Sequence, residues 1–410
     1  MNFLVDPVNF VASWITTLLM GWGFPSGLTT VIVYFIGITV LIIFAMTLDI
    51  FLVWVERKVV ARFQDRLGPN RIGPFGIIQP FADIIKLIIK EDITPAGADK
   101  ILFNLGPVLA IASVIFLWAI LPLSTKIFGV DLNVGLLYIV AAGALGTLSI
   151  IVGGWASNNK YALLGAFRMV ANMISYEIPM VVTLLVPTIL ADSMSVQKIT
   201  QAQSGIWFVI LSPLAFIIFF ISVIAELGRS PFDLNEAESE IVAGFHIEYT
   251  GMKFGLFYAG ELLHAFTFGG FMAVLFFGGY GGFFGLEKIS IFSWLNNSFV
   301  QVIIFLAKAM FGYWAIMWVK YSMPRIRIDH MLAFNWKFLT PLSIVVLVNT
   351  AILNKVLSGL PNWEYIAGMF FSNIVIGFIT IEILRAQGRR QRKAPGDQSN
   401  NSALEQEQAA

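Results

Sequence analysis

Residues 226–261 read ELGRSPFDLNEAESEIVAGFHIEYTGMKFGLFYAGE and lie between two long apolar runs, GIWFVILSPLAFIIFFISVIA at 205–225 and FTFGGFMAVLFFGGYGGFF at 266–284. Carboxylates in or beside hydrocarbon are costly, so acids at such a place are candidates for function. The segment carries seven acids, which are Glu226, Asp233, Glu236, Glu238, Glu240, Glu248 and Glu261. The pattern predicts membrane-spanning helices arranged around a working acidic segment.

The composition of the whole chain points the same way. Of its 410 residues, 58% are hydrophobic and only 12% are charged, and the mean hydropathy is +0.80. A soluble domain of this length needs more polar surface, so we expect an all-α polytopic membrane protein. The chain has no cysteine and three histidines, which leaves no thiolate ligand for an iron–sulfur cluster and little for a metal site.

Nine apolar stretches are long enough to cross about 30 Å of hydrocarbon as helices. They are 28–55, 101–121, 134–156, 163–190, 205–225, 254–279, 299–320, 338–355 and 364–384. Residues 8–24 are shorter and contain Trp14 and Trp22. That pattern favours an interfacial helix over a further span, without excluding the span.

Charge between the spans sets the expected topology. The connections 56–100 and 226–253, the other connections on their side and the C-terminal tail hold most of the basic residues. The opposite side holds only Lys126, Lys198, Lys288 and Lys355. The positive-inside rule therefore predicts an external N-terminus and a cytoplasmic C-terminus. We expect an interfacial segment at 1–27, one membrane domain at 28–385 and a disordered cytoplasmic tail at 386–410.

The connection 56–100 combines turns with a short amphipathic helix. Gly68-Pro69-Asn70 and Gly73-Pro74-Phe75-Gly76 are turn formers, and residues 77–90 follow a helical pattern. Gln79, Asp83, Lys86 and Lys90 fall on one face of that helix. Its basic residues fit ordinary topology and lipid-headgroup contact, or a charged entrance for an amphipathic ligand.

Some acids of the 226–261 segment have a structural explanation. Asn235 is followed by Glu238 in a pattern like a capping box. Glu240, however, lies four residues after Glu236. Like-charged neighbours at that spacing raise each other's pKa, as does desolvation, so such acids can exchange protons near neutral pH.

Charged residues also interrupt the spans themselves. Glu177 lies just before Pro179, and Glu261 and His264 share a helix face. Lys308 lies within an apolar run, so an acid or a water cavity is expected near it. Each of these residues alone could be a satisfied structural group, but several together favour a polar path. Nearby glycines such as Gly269 are explained by close helix packing.

Three stretches carry a resemblance to a known family. They contain Glu56-Arg57-Lys58, Gly68-Pro69-Asn70, Gly73-Pro74 and Gln79-Pro80-Phe81-Ala82-Asp83; then Ile174-Ser175-Tyr176-Glu177; then Arg229-Ser230-Pro231-Phe232-Asp233-Leu234, Glu238-Ser239-Glu240, Gly244-Phe245 and Glu248-Tyr249. From about residue 40 to 355 the chain resembles the family of H subunits of bacterial NADH–quinone oxidoreductase, also called respiratory complex I.

The resemblance implies a function and a set of partners. It implies a quinone chamber, for ubiquinone or menaquinone, shared with peripheral-arm subunits that carry the terminal iron–sulfur cluster. It also implies buried acids that lead toward antiporter-like subunits and couple quinone reduction to proton translocation. Small membrane subunits and lipids would be further neighbours. FMN and the iron–sulfur clusters would belong to partner subunits, with no cofactor bound by this chain and no nucleic acid involved.

The resemblance also assigns residues to roles. At the quinone entrance and chamber wall it places Glu56, Arg57, Arg62, Arg66, Asp83 and Lys86. On the cytoplasmic loop near the headgroup path it places Asp233, Glu236, Glu238 and Glu240, with Arg229 beside them. On the buried acidic path it places Glu177, Glu226, Glu248 and Glu261. Asp49, His264 and Lys308 are not covered by the resemblance, so their roles stay open.

Two other functions fit the same pattern. The chain also resembles the anchor subunit of membrane-bound nickel–iron hydrogenases and of ferredoxin-linked or F420-linked complexes. The long 56–92 segment favours the quinone-linked function over that alternative. A stand-alone ion–solute antiporter predicts transport by the purified chain, but gives no reason for so large a cytoplasmic docking surface.

Overall fold

Helices account for nearly all of the chain that the structure describes. The computed structural model describes residues 6–233, 244–282, 294–358 and 361–408, and no strand occurs in those ranges. The helices are α1 (Pro7–Gly21), α2 (Ser26–Phe63), α3 (Gln79–Ile89), α4 (Lys100–Trp118), α5 (Gly135–Ala156), α6 (Lys160–Ala191), α7 (Val196–Ala202), α8 (Phe208–Leu211), α9 (Pro213–Glu226), α10 (Gly251–Phe276), α11 (Ser298–Ser322), α12 (Ile328–Phe334), α13 (Thr340–Leu357) and α14 (Asn362–Gln408). The predicted all-α membrane fold is confirmed.

Short polar side chains fix where several helices begin. Asp99 accepts hydrogen bonds from the first amides of α4, and Asn159 does the same for α6. Asn297 caps α11. Each satisfies backbone donors that have no partner within the helix, so these residues set the level at which an apolar run starts.

Each of the nine predicted spans coincides with a helix or a helix pair. Among the described residues, eight helices are long and apolar enough to cross a membrane. The span predicted at 205–225 is built from α8 and α9, which are interrupted at Ser212, immediately before Pro213. A proline cannot donate its backbone amide, which explains a break at this point. Residues 208–226 together rise roughly 28 Å, about the thickness of the hydrocarbon.

Contacts between the connecting segments show that these segments lie at two separate faces of the helix bundle. On one, which we call the basic face, the contacts between connections are Lys253–Asp92 (2.8 Å), Asn159–Glu248 (2.7 Å) and Ile326–Pro231 (3.0 Å). On the other, which we call the opposite face, they are Thr125–Gln301 (3.0 Å), Leu136–Met194 (3.3 Å) and Gly278–Gln203 (3.0 Å). Because α8 and α9 connect residue 203 to residue 231, they run from the opposite face to the basic face.

Helix α10 forms the centre of the molecule. Its most apolar window is 89% buried, against 6% for α2. It packs against α11 with almost no space between the backbones, since a Cβ atom added at Gly312 would lie 2.9 Å from the Cα atom of Gly269. The close helix packing predicted at Gly269 is therefore confirmed.

Helix α2 extends further than its apolar run. We expected the span to end at residue 55, but the helix continues to Phe63, so residues 56–63 are helical rather than part of a loop. Its 38 residues rise roughly 57 Å, which exceeds the hydrocarbon thickness. The amphipathic helix predicted at 77–90 is observed as α3. Its apolar residues Phe81, Ile85 and Ile88 are exposed, as expected of a helix at a membrane surface.

The two terminal helices lie at the edges of the bundle. Helix α1 has 15 residues and contacts α2, so it rises roughly 22 Å; its interfacial position stays a prediction. Helix α14 packs against α13, α8 and α9. There Asn373 Nδ2 donates to the carbonyl of Leu211 (3.2 Å), at the break before α9. The backbone of α14 continues to Gln408, and the disorder expected at 386–410 is not tested.

Candidate functional site

Glu56 is the buried end of a polar array at the basic face. It lies on α2 and is only 4% exposed. Its carboxylate accepts hydrogen bonds from Lys320 Nζ (3.0 Å), the Tyr321 hydroxyl (2.5 Å) and the Tyr313 hydroxyl (3.4 Å). All three donors belong to α11. The long-range pairing therefore holds the basic-face ends of α2 and α11 together.

Arg229 joins Glu56 to a second acid. It follows α9 and is 1% exposed, with its Nη1 3.9 Å from Glu56 Oε1 and its Nε 3.5 Å from Glu261 Oε1. These are ion-pair distances, but no guanidinium nitrogen meets hydrogen-bond geometry among the described residues. Burial alone would lower the pKa of Arg229, yet the two carboxylates outweigh it and raise that pKa, so the guanidinium stays charged.

We call Glu56, Arg229, Glu261, Lys320, Tyr313 and Tyr321 the buried charge cluster. Its two carboxylates match its two cations, which explains how so many charges persist at low exposure. Removing one partner of such a set leaves an uncompensated buried charge and is strongly destabilising.

A cavity adjoins the cluster on the side of Glu261. It has a volume of about 80 Å³, and its polar lining includes Glu226, Glu261, His264, Ser113 and Ser149. We call it the acidic cavity. Glu226, at the end of α9, is 3% exposed, and its Oε2 has no hydrogen-bond partner among the described residues.

Glu177 lies on α6 and is partly buried. It interacts electrostatically with Glu226. Three acids predicted for one buried path, Glu177, Glu226 and Glu261, therefore lie in neighbouring positions.

The acids predicted for the path do not all lie at this cavity. Glu248 accepts a hydrogen bond from Asn159 Nδ2 at the start of α6 (2.7 Å) and is not among the residues that line the cavity. Glu240 lies outside the described residues, as do Glu236 and Glu238. Whether these acids connect to Glu226 stays a prediction.

The predicted entrance residues form a separate, more exposed group. Arg57 Nη1 contacts Asp83 Oδ2 (2.5 Å), and Lys86 Nζ lies 3.9 Å from Asp83 Oδ1. These pairs join α3 to the end of α2. Arg62 and Arg66 are exposed, and Arg66 Nε donates to Gln64 Oε1 (2.7 Å).

Asp233 belongs to a loop that is fastened to the segment after α11. Arg325 Nη2 contacts Asp233 Oδ2 (3.0 Å), and Ser230 Oγ donates to the Met323 carbonyl (3.0 Å). These contacts fix the loop that carries Arg229. They explain how a short, irregular segment positions a fully buried guanidinium.

Sequence analysis missed the α11 residues of the site. It did not single out Lys320, Tyr313 or Tyr321. The available signal was their spacing of seven and eight residues, which puts three polar groups on one side of an apolar helix end.

The structure also gives the surroundings of Lys308 and Asp49, two interior residues to which the sequence assigned no role. Lys308 Nζ donates to the carbonyls of Phe277 (2.8 Å) and Gly281 (2.6 Å) at the end of α10, where a cation stabilises the last turn of a helix. Asp49 is buried on α2, and its Oδ1 has no hydrogen-bond partner in the described chain. Within the described ranges no group of three or more potential ligands is placed to hold a metal ion.

A family model and several similar proteins all indicate the same family. A family model described as NADH dehydrogenase matches residues 36–351. The chain is 46% identical over 299 residues to the H subunit of NADH-quinone oxidoreductase from Dehalococcoides mccartyi, covering 73% of this chain and 80% of that protein. It is 44% identical over 314 residues to the H subunit numbered 1 from Geobacter metallireducens, covering 74% and 91%. It is 39% identical over 350 residues to the H subunit from Phocaeicola vulgatus, covering 84% and 97%.

Proposed function

This chain belongs to the NADH dehydrogenase family whose curated members include the H subunits of NADH-quinone oxidoreductase, and from that premise we propose that it binds quinone beside the buried charge cluster and couples quinone reduction to proton movement. It is a multi-pass membrane subunit of NADH-quinone oxidoreductase, and other subunits of that complex are its partners. The relatives' names favour this assembly over a hydrogenase anchor.

The observation that carries the proposal is a series of charged side chains that leads from α3, at the basic face, to the acidic cavity. The Arg57–Asp83 pair lies at the end of α2, one residue from Glu56. Arg229 links Glu56 to Glu261, and Glu261 lines the same cavity as Glu226. A change of charge near α3 can therefore act electrostatically on acids inside the membrane domain, partly through the ion pairs of Arg229 and partly across the acidic cavity.

Quinone chemistry supplies such a change. Electrons reach the quinone from a partner subunit, because this chain has no cysteine to hold an iron–sulfur cluster. Until protons arrive, the reduced ring carries negative charge. That charge competes with Glu56 and Glu261 for Arg229 and Lys320, so their pairing shifts and protons redistribute among the nearby acids.

Glu226 is the group best suited to receive a proton. It is almost fully buried, one of its oxygens has no partner among the described residues, and Glu177 repels its charge. Burying a carboxylate without a counter-ion is costly, and protonation removes that cost. Glu56 and Glu261, in contrast, have cations beside them.

Substitution of Glu226 tests this function in the assembled complex. Glu226→Gln keeps the size of the side chain and removes its ability to carry a proton. We expect quinone-linked NADH oxidation to fall by roughly tenfold or more, while electron transfer from NADH to ferricyanide persists. Glu177→Gln and Glu240→Gln are expected to act in the same direction.

The matched control is Glu382→Gln on α14, where the acid pairs with Arg385 at the surface. It should leave both activities unchanged. Normal quinone turnover together with normal proton pumping in Glu226→Gln, Glu177→Gln and Glu240→Gln would contradict the assignment of the acids.

A further inference from the structure

His264 is a partly buried titratable residue that the proposed function does not yet use. It lies one helical turn after Glu261 on α10, so the two side chains share a face. Its ring packs on Phe268 with the ring centres 4.8 Å apart, and it lines the acidic cavity. The ring Nε2 is buried and has no hydrogen-bond partner among the described residues.

Two unsatisfied polar atoms thus occur at one cavity. They are His264 Nε2 and Glu226 Oε2, and a buried polar atom that is left without a partner destabilises the fold. Two such atoms beside one cavity point to a shared ligand that satisfies both.

The cavity suits water as that ligand. A volume of about 80 Å³ holds at least about two water molecules, at about 30 Å³ for each in the liquid. A buried water needs roughly two to four polar partners. Besides His264 and Glu226, the lining offers Glu261 and the hydroxyl oxygens of Ser113 and Ser149. Both serine hydroxyls donate to their own helices, which leaves their oxygens free to accept.

We propose that His264 is a positioning residue that holds water between Glu226 and Glu261, so that the two acids form one proton route. The inference rests on the proposed function, in which those acids exchange protons. Imidazole fits the position because a ring nitrogen can donate or accept, according to the orientation of the water beside it. Packing against Phe268 restricts the orientation of the ring, and this in turn restricts where water bound to it can lie.

Titratable groups from several elements line the same cavity as this imidazole. Glu226 comes from the end of α9, Glu261 and Tyr258 from α10, and His246 from the segment before α10. Arg229 also acts electrostatically on the ring. Water held by His264 therefore lies between the buried charge cluster and Glu226, where a proton must pass if the two are to exchange one.

Two substitutions in the assembled complex separate hydrogen bonding from bulk. His264→Gln retains a side chain that can donate and accept, and His264→Leu retains volume only. We expect His264→Leu to lower quinone-linked NADH oxidation and the number of protons pumped per electron by roughly tenfold or more. His264→Gln should stay within about twofold of the unsubstituted complex. Ferricyanide reduction by the purified complex should be unchanged in both, which shows that electron entry from NADH is intact.

Combining substitutions shows whether His264 acts through the acid. In a Glu226→Gln background, adding His264→Leu should cause no further loss, because the route is already interrupted. Losses that multiply, normal behaviour of His264→Leu, or equal losses in His264→Leu and His264→Gln would each overturn the inference. If Glu226→Gln is itself normal, the proton-accepting role that the proposed function gives to Glu226 fails, and this inference fails with it. If Glu226→Gln is impaired while His264→Leu is normal, only the role of His264 fails.

A second measurement needs no variant. A high-resolution map of the whole complex should show ordered water within about 3 Å of both His264 Nε2 and Glu226 Oε2. A cavity without water, or a side chain of another subunit filling it, would overturn the inference even if His264→Leu did not assemble.

Discussion

Lys320 is the residue on which the charge balance of the site most directly depends. Its Nζ lies 3.0 Å from Glu56 Oε1, whereas Arg229 Nη1 lies 3.9 Å from the same atom. Lys320 is therefore the closer of the two cations. Without Lys320, Arg229 would be the one cation left in the buried charge cluster, and the carboxylates of Glu56 and Glu261 would both depend on it.

We predict that Lys320→Met impairs both stability and quinone turnover. Breaking a buried ion pair by removing one partner costs about 3–5 kcal/mol, so the complex should inactivate at a lower temperature. Quinone-linked NADH oxidation should also fall more than ferricyanide reduction. Lys320→Arg retains the charge and should keep most of the activity. Both rates and the inactivation temperature are measured on the purified complex.

Lys355→Met provides the control for that prediction. Lys355 is exposed near the end of α13, so its removal changes net charge without breaking a buried pair. Surface substitutions of this kind usually change stability by less than about 0.5 kcal/mol. Equal effects of Lys320→Met and Lys355→Met would contradict the role given to the pair with Glu56.

The acids of the site could be predicted from the sequence more readily than the cations that balance them. Acids in or beside apolar runs identified Glu226 and Glu261, because the cost of burying a carboxylate is visible in one sequence. Glu56 was assigned a role only through the resemblance to a known family. The cations that balance them were less visible. Lys320 and Glu56 are 264 residues apart, and a lysine just after an apolar run has the ordinary appearance of a topology signal.

At the scale of helices, the α10–α11 contact positions most of the buried charge cluster. Glu261 belongs to α10, while Lys320, Tyr313 and Tyr321 belong to α11. The two helices meet at Gly269 and Gly312, where the backbones nearly touch. Sequence analysis attributed Gly269 to packing, but it could not name Gly312 as its partner, since no local pattern specifies which helices meet.

We predict that Gly312→Ala pushes these helices apart. The new Cβ would lie 2.9 Å from Gly269 Cα and 3.1 Å from its carbonyl oxygen, and backbone atoms cannot rotate away. Overpacking of this kind costs about 1–3 kcal/mol, and the shift should also lower quinone turnover by disturbing the pairing around Glu56. The readouts are the inactivation temperature and the quinone-linked rate.

The control for that substitution is Gly37→Ala on α2. Nothing lies within 4 Å of the Cβ that it would add. Alanine favours the helix by up to about 1 kcal/mol over glycine, so stability should be unchanged or slightly increased. If Gly312→Ala behaves like Gly37→Ala, the close approach of α10 and α11 does not constrain the site.

Viewed as a whole, the chain alternates between two faces. Hydropathy predicted the spans well because the exclusion of water requires long apolar helices, whatever the tertiary fold. Hydropathy was less informative where a helix extends beyond its apolar run, as α2 does. It was also less informative where two short helices together form one span, as α8 and α9 do. Those features depend on contacts with other helices, such as the hydrogen bond from Asn373 on α14 to the carbonyl of Leu211.

The orientation of these faces in the membrane is testable because the chain contains no cysteine. We predict that a membrane-impermeant maleimide labels a Gln201→Cys variant from outside the cell and an Arg389→Cys variant only in inverted vesicles. Gln201 belongs to the opposite face, and Arg389 follows the last span at the start of the basic tail. Labelling of both variants after denaturation provides the control that each thiol is reactive.

The same pair of variants tests whether α8 and α9 cross the membrane. Between Gln201 and Arg389 lie α8–α9, α10, α11, α13 and α14. If all of them cross, the two positions are on different sides; if α8–α9 does not cross, they are on the same side. Labelling of both from one side would therefore contradict the crossing that brings Glu226 to the basic end of the molecule. If each variant is instead labelled from the side expected for the other, α8 and α9 still cross the membrane but the orientation is reversed. The proposed quinone site would then lie on the external surface, away from any cytoplasmic electron donor.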